Sequence, residues 1–443
     1  MLLFFLPSLY FFCKIKDLYF ATGILSIRVD PFPFKAGQFV INLSPDIKLS
    51  LRPPGRHTLI NIIFSFSFLF ALFIRPTISS AQFEHKLFSS NMMIEVKIHY
   101  GFIYAHHLEL EIFNAHFPAF EISIQKLTFG KHKWERAFNY PIIGAIFYYS
   151  GMGYNPYLGQ AFALMPFINF PLYKHANFTF GFRFSLGIGY LTERFDRLNN
   201  YKNLAIGSHL NAAVNLMFEA RYRINYALTV SGGICLQHFS NGSLKLPNYG
   251  LNTPLVNIGI AYRPWKENSY IGDRFYPPIE PFEAIVHRSI QFNIGVLLGW
   301  KNMKAVVGEN YLVYHLYENT LIQVSKKSKI GLGLDLSYDP SQIKTLEMQG
   351  ETVDNKFSIL RPGINAAYEL MMGRLGFIFN LGYYLGGKEK TNGPLYEKIS
   401  VQYNFAKNFF ASVMLKVHWG RADYIGWGLG YRFDVLFGKK AVR

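Results

Sequence analysis

Cysteine and charge are both scarce in this chain. Only Cys13 and Cys235 occur in 443 residues, and only Cys235 lies beyond residue 81. An intramolecular disulfide is therefore excluded for everything that follows residue 81, even in a compartment that would permit one. Charged residues make up 16% of the chain, a thin supply by the standard of ordinary soluble domains. Past residue 82 no stretch offers the roughly 20 uninterrupted apolar residues of a membrane-crossing helix. What the chain has instead is aromatic side chains, with 43 Phe and 29 Tyr, and a half-apolar composition dispersed through short alternating segments.

The N-terminal region stands apart. Arg52, Arg56 and His57 precede an apolar run from Ile60 to Ile74, broken only by Asn61 and two serines, and Ser79-Ser80-Ala81 follows as a small-residue cleavage site. This is the layout of a secretory signal peptide, over residues 59–81, with a mature chain starting near Gln82. Residues 1–58 then lie upstream of a signal peptide, where no domain belongs, and read as a non-native extension. Removing residues 1–81 takes away eight Lys/Arg and three Asp, leaving 37 positive and 25 negative side chains. An exported, basic protein suits anionic lipid head groups, and export argues against nucleic acid.

Beyond the leader, period two recurs. Phe178, Phe180, Phe182, Phe184, Leu186, Ile188 and Tyr190 alternate with Thr179, Gly181, Arg183, Ser185, Gly187 and Gly189. One face is bulky and apolar and the other small or polar, the dyad of a strand between lipid and a barrel lumen. Similar segments recur near 96–105, 118–128, 140–149, 157–170, 204–222, 227–240 and 252–263, which makes eight strands in the first half. A Pro-containing, charged stretch over 265–288 reads as a linker or long loop. Alternation then resumes eight more times, from 289–300 to 425–437. The predicted fold is all-β, an outer-membrane antiparallel up-and-down β-barrel. A single barrel of roughly 14–16 strands is slightly favoured over an eight-stranded barrel followed by a second unit, because tandem barrels in one chain are unusual.

Chemistry concentrates at the end of the 227–240 segment. His238 and Ser240 continue the apolar face of Ile234 and Leu236, so in a membrane barrel they meet acyl chains and not the lumen. Serine is a weak nucleophile until a neighbouring imidazole takes its proton, and the imidazole needs a third group to fix its tautomer. With a loop centred near Leu246, Asn252 falls across from Ser240 and diagonal to His238, in phase with outward-facing Val256, Ile258 and Ile260. Its side-chain oxygen can orient the imidazole but stabilises imidazolium less than a carboxylate does. Glu219 is the nearest carboxylate in sequence, but a turn near Ile224 pairs it with Val230, about 26 Å along the strand from His238. It is better placed for an interfacial or lumenal salt bridge with Arg221 or Arg223. His107, Glu109 and Glu111 would share a strand face as a weak metal patch, against the plainer reading of a solvated strand end.

The block His238-x-Ser240-Asn241, followed by Lys245-x-Pro247-Asn248-x-Gly250, resembles the lipid A 3-O-deacylases (PagL), outer-membrane barrels that hydrolyse an ester-linked acyl chain of lipopolysaccharide. The likeness covers roughly residues 95–264 and says nothing of 289–443. It implies His238 as general base, Ser240 as nucleophile, and Asn248 or backbone amides near Gly242 and Ser243, with Asn241 beside them, as oxyanion and substrate contacts. It also implies a lipopolysaccharide or related glycolipid partner, with no metal or organic cofactor. The family pattern has a Glu where this chain has Asn252. The alternative is a non-catalytic outer-membrane channel or structural barrel.

Overall fold

The computed structural model describes residues 17–19, 26–28, 91–154, 156–264, 289–303, 308–353 and 355–436. The predicted signal peptide, nearly all of residues 1–58, and the 265–288 linker lie outside the described residues. Within Met1–Gln82 the described part is a short antiparallel pair, β1 (Asp17–Tyr19) and β2 (Ser26–Arg28), with Asp17 opposite Arg28.

The rest is built from sixteen antiparallel strands. The first eight are β3 (Met92–Phe102), β4 (His116–Leu127), β5 (Ile142–Ser150), β6 (Ala161–His175), β7 (Phe178–Leu191), β8 (Leu210–Arg223), β9 (Leu228–Ser240) and β10 (Leu251–Tyr262). The second eight are β11 (Ser289–Asn302), β12 (Asn310–Gln323), β13 (Ser328–Tyr338), β14 (Arg361–Met372), β15 (Leu375–Tyr384), β16 (Leu395–Asn404), β17 (Phe409–His418) and β18 (Arg421–Leu436). Each set pairs sequential neighbours throughout, the up-and-down meander expected from the alternation.

The favoured single large barrel is not what forms. β10 closes on β3, with Tyr262 opposite Ile94 and Leu255 opposite Gly101, and β18 closes on β11, with Leu436 opposite Ser289. Two closed eight-stranded barrels result. The physical reason lies in the lumens, because an eight-stranded barrel is just wide enough for side chains to fill. Lys97 on β3 reaches Glu219 on β8 at 2.9 Å, and Arg221 on β8 reaches Glu95 on β3 at 3.2 Å, across the first lumen. Arg183 grips Glu121 through two contacts at 2.7 and 2.8 Å. Buried charges are stable only when so paired, and in a ring of twice the circumference these partners would face each other across open water. The second lumen carries its own set around Asp335, which meets Lys398, His315 at 2.9 Å, Tyr396 at 2.6 Å and Asn365 at 2.7 Å.

The outer walls are apolar. Along β7, Phe178, Phe180, Ile188 and Tyr190 are exposed, whereas Gly181, Arg183, Ser185 and Gly189 are buried. Ile234, Val256, Ile258, Leu332 and Leu429 continue this exposed belt around both barrels. At one end of the first barrel the strands join through 103–115, 151–160, 192–209 and 241–250, and at the other through 128–141, 176–177 and 224–227. The predicted 204–222 strand starts at Leu210, because the preceding residues belong to a loop braced by Asn203, whose side chain accepts from the amide of Ile206. The barrels touch along their walls, where Phe184 meets Phe377 edge-on at 5.6 Å between ring centroids.

Candidate active site

Even-numbered residues of β9 point outward. Ile234 and Leu236 are exposed, Cys235, Gln237 and Phe239 are buried inward, and half-buried His238 and Ser240 continue the outer face at the strand's end. β10 places Asn252 on that same outer face, in phase with exposed Val256, Ile258 and Ile260. The alternation alone dictated this placement.

The register differs from expectation by two residues. Asn252 lies directly opposite His238, not Ser240. The loop is centred one position earlier than predicted, and the direct cross-strand pairing brings the two side chains closer than a diagonal would. His238 Nδ1 is 2.7 Å from Asn252 Oδ1, and His238 Nε2 is 2.9 Å from Ser240 Oγ. Because an amide oxygen only accepts, Nδ1 carries the proton, which leaves the Nε2 lone pair facing the serine hydroxyl. A base, a hydroxyl and an orienting acceptor thus form one hydrogen-bonded row on the outer wall.

The loop after Ser240 packs tightly against this row. Gly250 has φ +80°, and a Cβ there would stand 3.0 Å from His238 Cε1 and 3.4 Å from Ser240 Cβ, so the close passage of the backbone requires glycine. Buried Asn241 braces the loop, donating its backbone N–H to Asn248 Oδ1 at 3.1 Å and its side-chain amide to Ser208 Oγ at 2.9 Å and Lys245 O at 2.8 Å. Gly242, at φ +59°, presses on Ile425 of the second barrel, where a Cβ would come within 2.5 Å. Ser243 donates its hydroxyl to the Ala422 carbonyl at 2.8 Å and accepts from the Asn302 amide at 3.0 Å. Asn302 Oδ1 in turn accepts from the Leu246 amide at 3.1 Å. The loop carrying all four predicted oxyanion contacts therefore lies against the second barrel.

Glu219 is remote, as expected, though it pairs with Gly233 and not Val230. It is buried in the lumen with Arg221 at 3.0 Å and Lys97, while Arg223 turns away to Asn177. The His107, Glu109, Glu111 patch does not form on a strand. Residues Leu108–Phe113 make a 3-10 turn, and among the described residues no three His, Cys, Asp or Glu side chains gather as a metal would require. His106, which precedes that patch and to which the sequence assigns no role, reaches the row, with Nδ1 3.1 Å from Asn252 Nδ2. Its position follows from barrel closure, which bridges Tyr104 to Asn252, so no local sequence signal marks it.

Comparison with known families matches residues 119–261 to lipid A 3-O-deacylase (PagL) and residues 289–435 to the C-terminal domain of acyloxyacyl hydrolase. The first match falls inside the 95–264 region that carries the sequence resemblance, and the second covers the half on which that resemblance is silent. No curated protein matches the chain. Among solved structures, Neisserial surface protein A is 8% identical over 40% of this chain and 97% of its own, with a TM-score of 0.27. A Rh. blastica porin variant is 9% identical over 78% of this chain and 99% of its own, with a TM-score of 0.16. One matched family model thus falls on each of the two barrels, lipid A 3-O-deacylase (PagL) on the first and the acyloxyacyl hydrolase C-terminal domain on the second.

Proposed function

We propose that this protein is an outer-membrane serine esterase that removes an ester-linked acyl chain from lipid A or a closely related anionic glycolipid. The row Ser240–His238–Asn252 on the lipid-facing wall carries the reading, because it offers an activated hydroxyl to an ester that never leaves the bilayer. Long loops of such barrels face outward from the cell and short turns face the periplasm, which sets the row at the outer-leaflet boundary. Export by a signal peptide over 59–81 belongs to the same proposal.

His238 Nε2 takes the Ser240 proton as Oγ attacks the acyl carbonyl. The oxyanion meets the side-chain amide of Asn248, whose oxygen is held by the Asn241 N–H, and the backbone amides of Gly242 and Ser243. Collapse returns the proton from His238 to the departing sugar oxygen, and a water activated by the same imidazole releases the fatty acid from Ser240. The net positive charge of the chain favours an anionic head group. The ion pairs crossing the first lumen weigh against a channel as its alternative role.

Mass spectrometry of lipid A from cells expressing the full chain, beside Ser240→Ala, tests this. The wild type is expected to lower lipid A by one acyl mass and the variant to leave it intact. Unchanged lipid A with folded wild type in the outer membrane would refute the activity on that substrate.

A further inference from the structure

We infer that His106 is a positioning residue, which fixes the direction in which the Asn252 amide faces and so allows an amide to serve where a carboxylate is the simpler choice. This rests on the esterase reading above. A carboxylate offers two equivalent oxygens, but an amide offers an acceptor on one side and a donor on the other, and its two orientations are related by a flip. Only one of them works here. With Oδ1 toward His238, Nδ1 carries the proton and Nε2 is free to take that of Ser240. With Nδ2 toward His238, Nδ1 must accept, the proton moves to Nε2, and the serine faces a donor.

Nothing in the Ser240–His238–Asn252 row selects between these states. The selection comes from behind Asn252. His106 Nε2 lies 3.1 Å from the Tyr249 carbonyl, a group that can only accept, so Nε2 bears the ring proton. In the neutral ring Nδ1 is then a lone pair, 3.1 Å from the Asn252 amide nitrogen, and it requires a donor there. Asn252 must present Nδ2 to His106 and hence Oδ1 to His238, at 2.7 Å. The same Nδ1 stands 3.4 Å from the Tyr104 carbonyl, a longer contact that bonds only if Nδ1 is protonated, which would repel the amide. One backbone carbonyl, that of Tyr249, thus orders every proton as far as Ser240.

The position of the imidazole is itself secured. The Tyr104 amide donates to the Asn252 carbonyl at 2.8 Å, which locks the chain two residues before His106 to the strand bearing Asn252. His107 stacks on the Tyr249 ring at 4.4 Å, holding the loop that supplies the carbonyl.

The test is ester-hydrolysis kinetics of the full-length protein extracted from outer membranes, comparing wild type, His106→Ala, His106→Gln, Asn252→Glu and the double variant H106A/N252E. Losing one orienting hydrogen bond is expected to lower kcat about tenfold in H106A, with KM changed less than about twofold. H106Q, whose amide oxygen can accept from Asn252, should recover part of that loss. Glutamate at 252 needs no orientation, so H106A should cost the N252E background at least about threefold less than it costs wild type. Equal costs in both backgrounds would show a structural role only and overturn the inference, as would a wild-type rate in H106A. Absence of Ser240-dependent hydrolysis in folded wild type would instead bring down the esterase reading itself, an outcome that the S240A control separates from the first two.

Discussion

Each barrel carries a histidine in the last three residues of its seventh strand, and the two histidines face opposite sides of their walls. In β9 the even-numbered residues point outward, so His238 and Ser240 stand on the lipid side with Asn252 across from them. In β17 the even-numbered residues point inward, and His418 is buried, 3.0 Å from the Tyr384 hydroxyl and 3.8 Å from Asp423. Asp423 is the extra residue of a bulge in β18 and also reaches Lys301 at 2.5 Å. The second barrel therefore has a histidine with a carboxylate but no hydroxyl two residues on, and the first has a histidine with a hydroxyl but no carboxylate. Strand phase separates them, since a shift of one residue moves every side chain to the other face.

Their closing loops differ as sharply. The first barrel runs through 241–250 before β10, whereas the second turns within Trp419–Gly420. The start of β18 and the end of β11 brace the long loop through Ala422 and Asn302. The second barrel thus braces the long loop of the first.

The contrast breaks first at Asn252. Asn252→Leu keeps the size of the side chain but leaves His238 Nδ1 without an acceptor, and acyl release should fall about a hundredfold or more, read by lipid A mass spectrometry or ester kinetics. A smaller effect is expected from the brace. Asn302→Ala removes the acceptor of the Leu246 amide, and a loosened loop should lower kcat about tenfold while the barrel still migrates as folded in unheated gels. Smallest on activity is His418→Ala, expected to leave acyl release at the wild-type rate and to cost about 1–3 kcal/mol of stability in denaturant unfolding, through the orphaned Tyr384 hydroxyl. A loss of acyl release in His418→Ala would mean that the two barrels share the chemistry.

Much of this was legible in the chain. Period two in Phe178–Tyr190 gave the lipid face, the same parity put His238, Ser240 and Asn252 on it, and the polar phase of β8 sent Glu219 and Arg221 inward together. Alternation is a local property, fixed by which side of the pleat each residue occupies, and it survives small errors in register. Whether sixteen such strands make one ring or two was not local, nor was the pairing of Asn252 with His238 instead of Ser240. Those outcomes depended on which distant edges met, β10 with β3 and β18 with β11. The same closure carried His106, 146 residues away along the chain, to the back of Asn252, and packing between the barrels brought Asn302 to the loop after Ser240. The residue types and their faces were written in the order of the amino acids. Their partners were decided only when charges from opposite walls found each other across a lumen narrow enough to bury them.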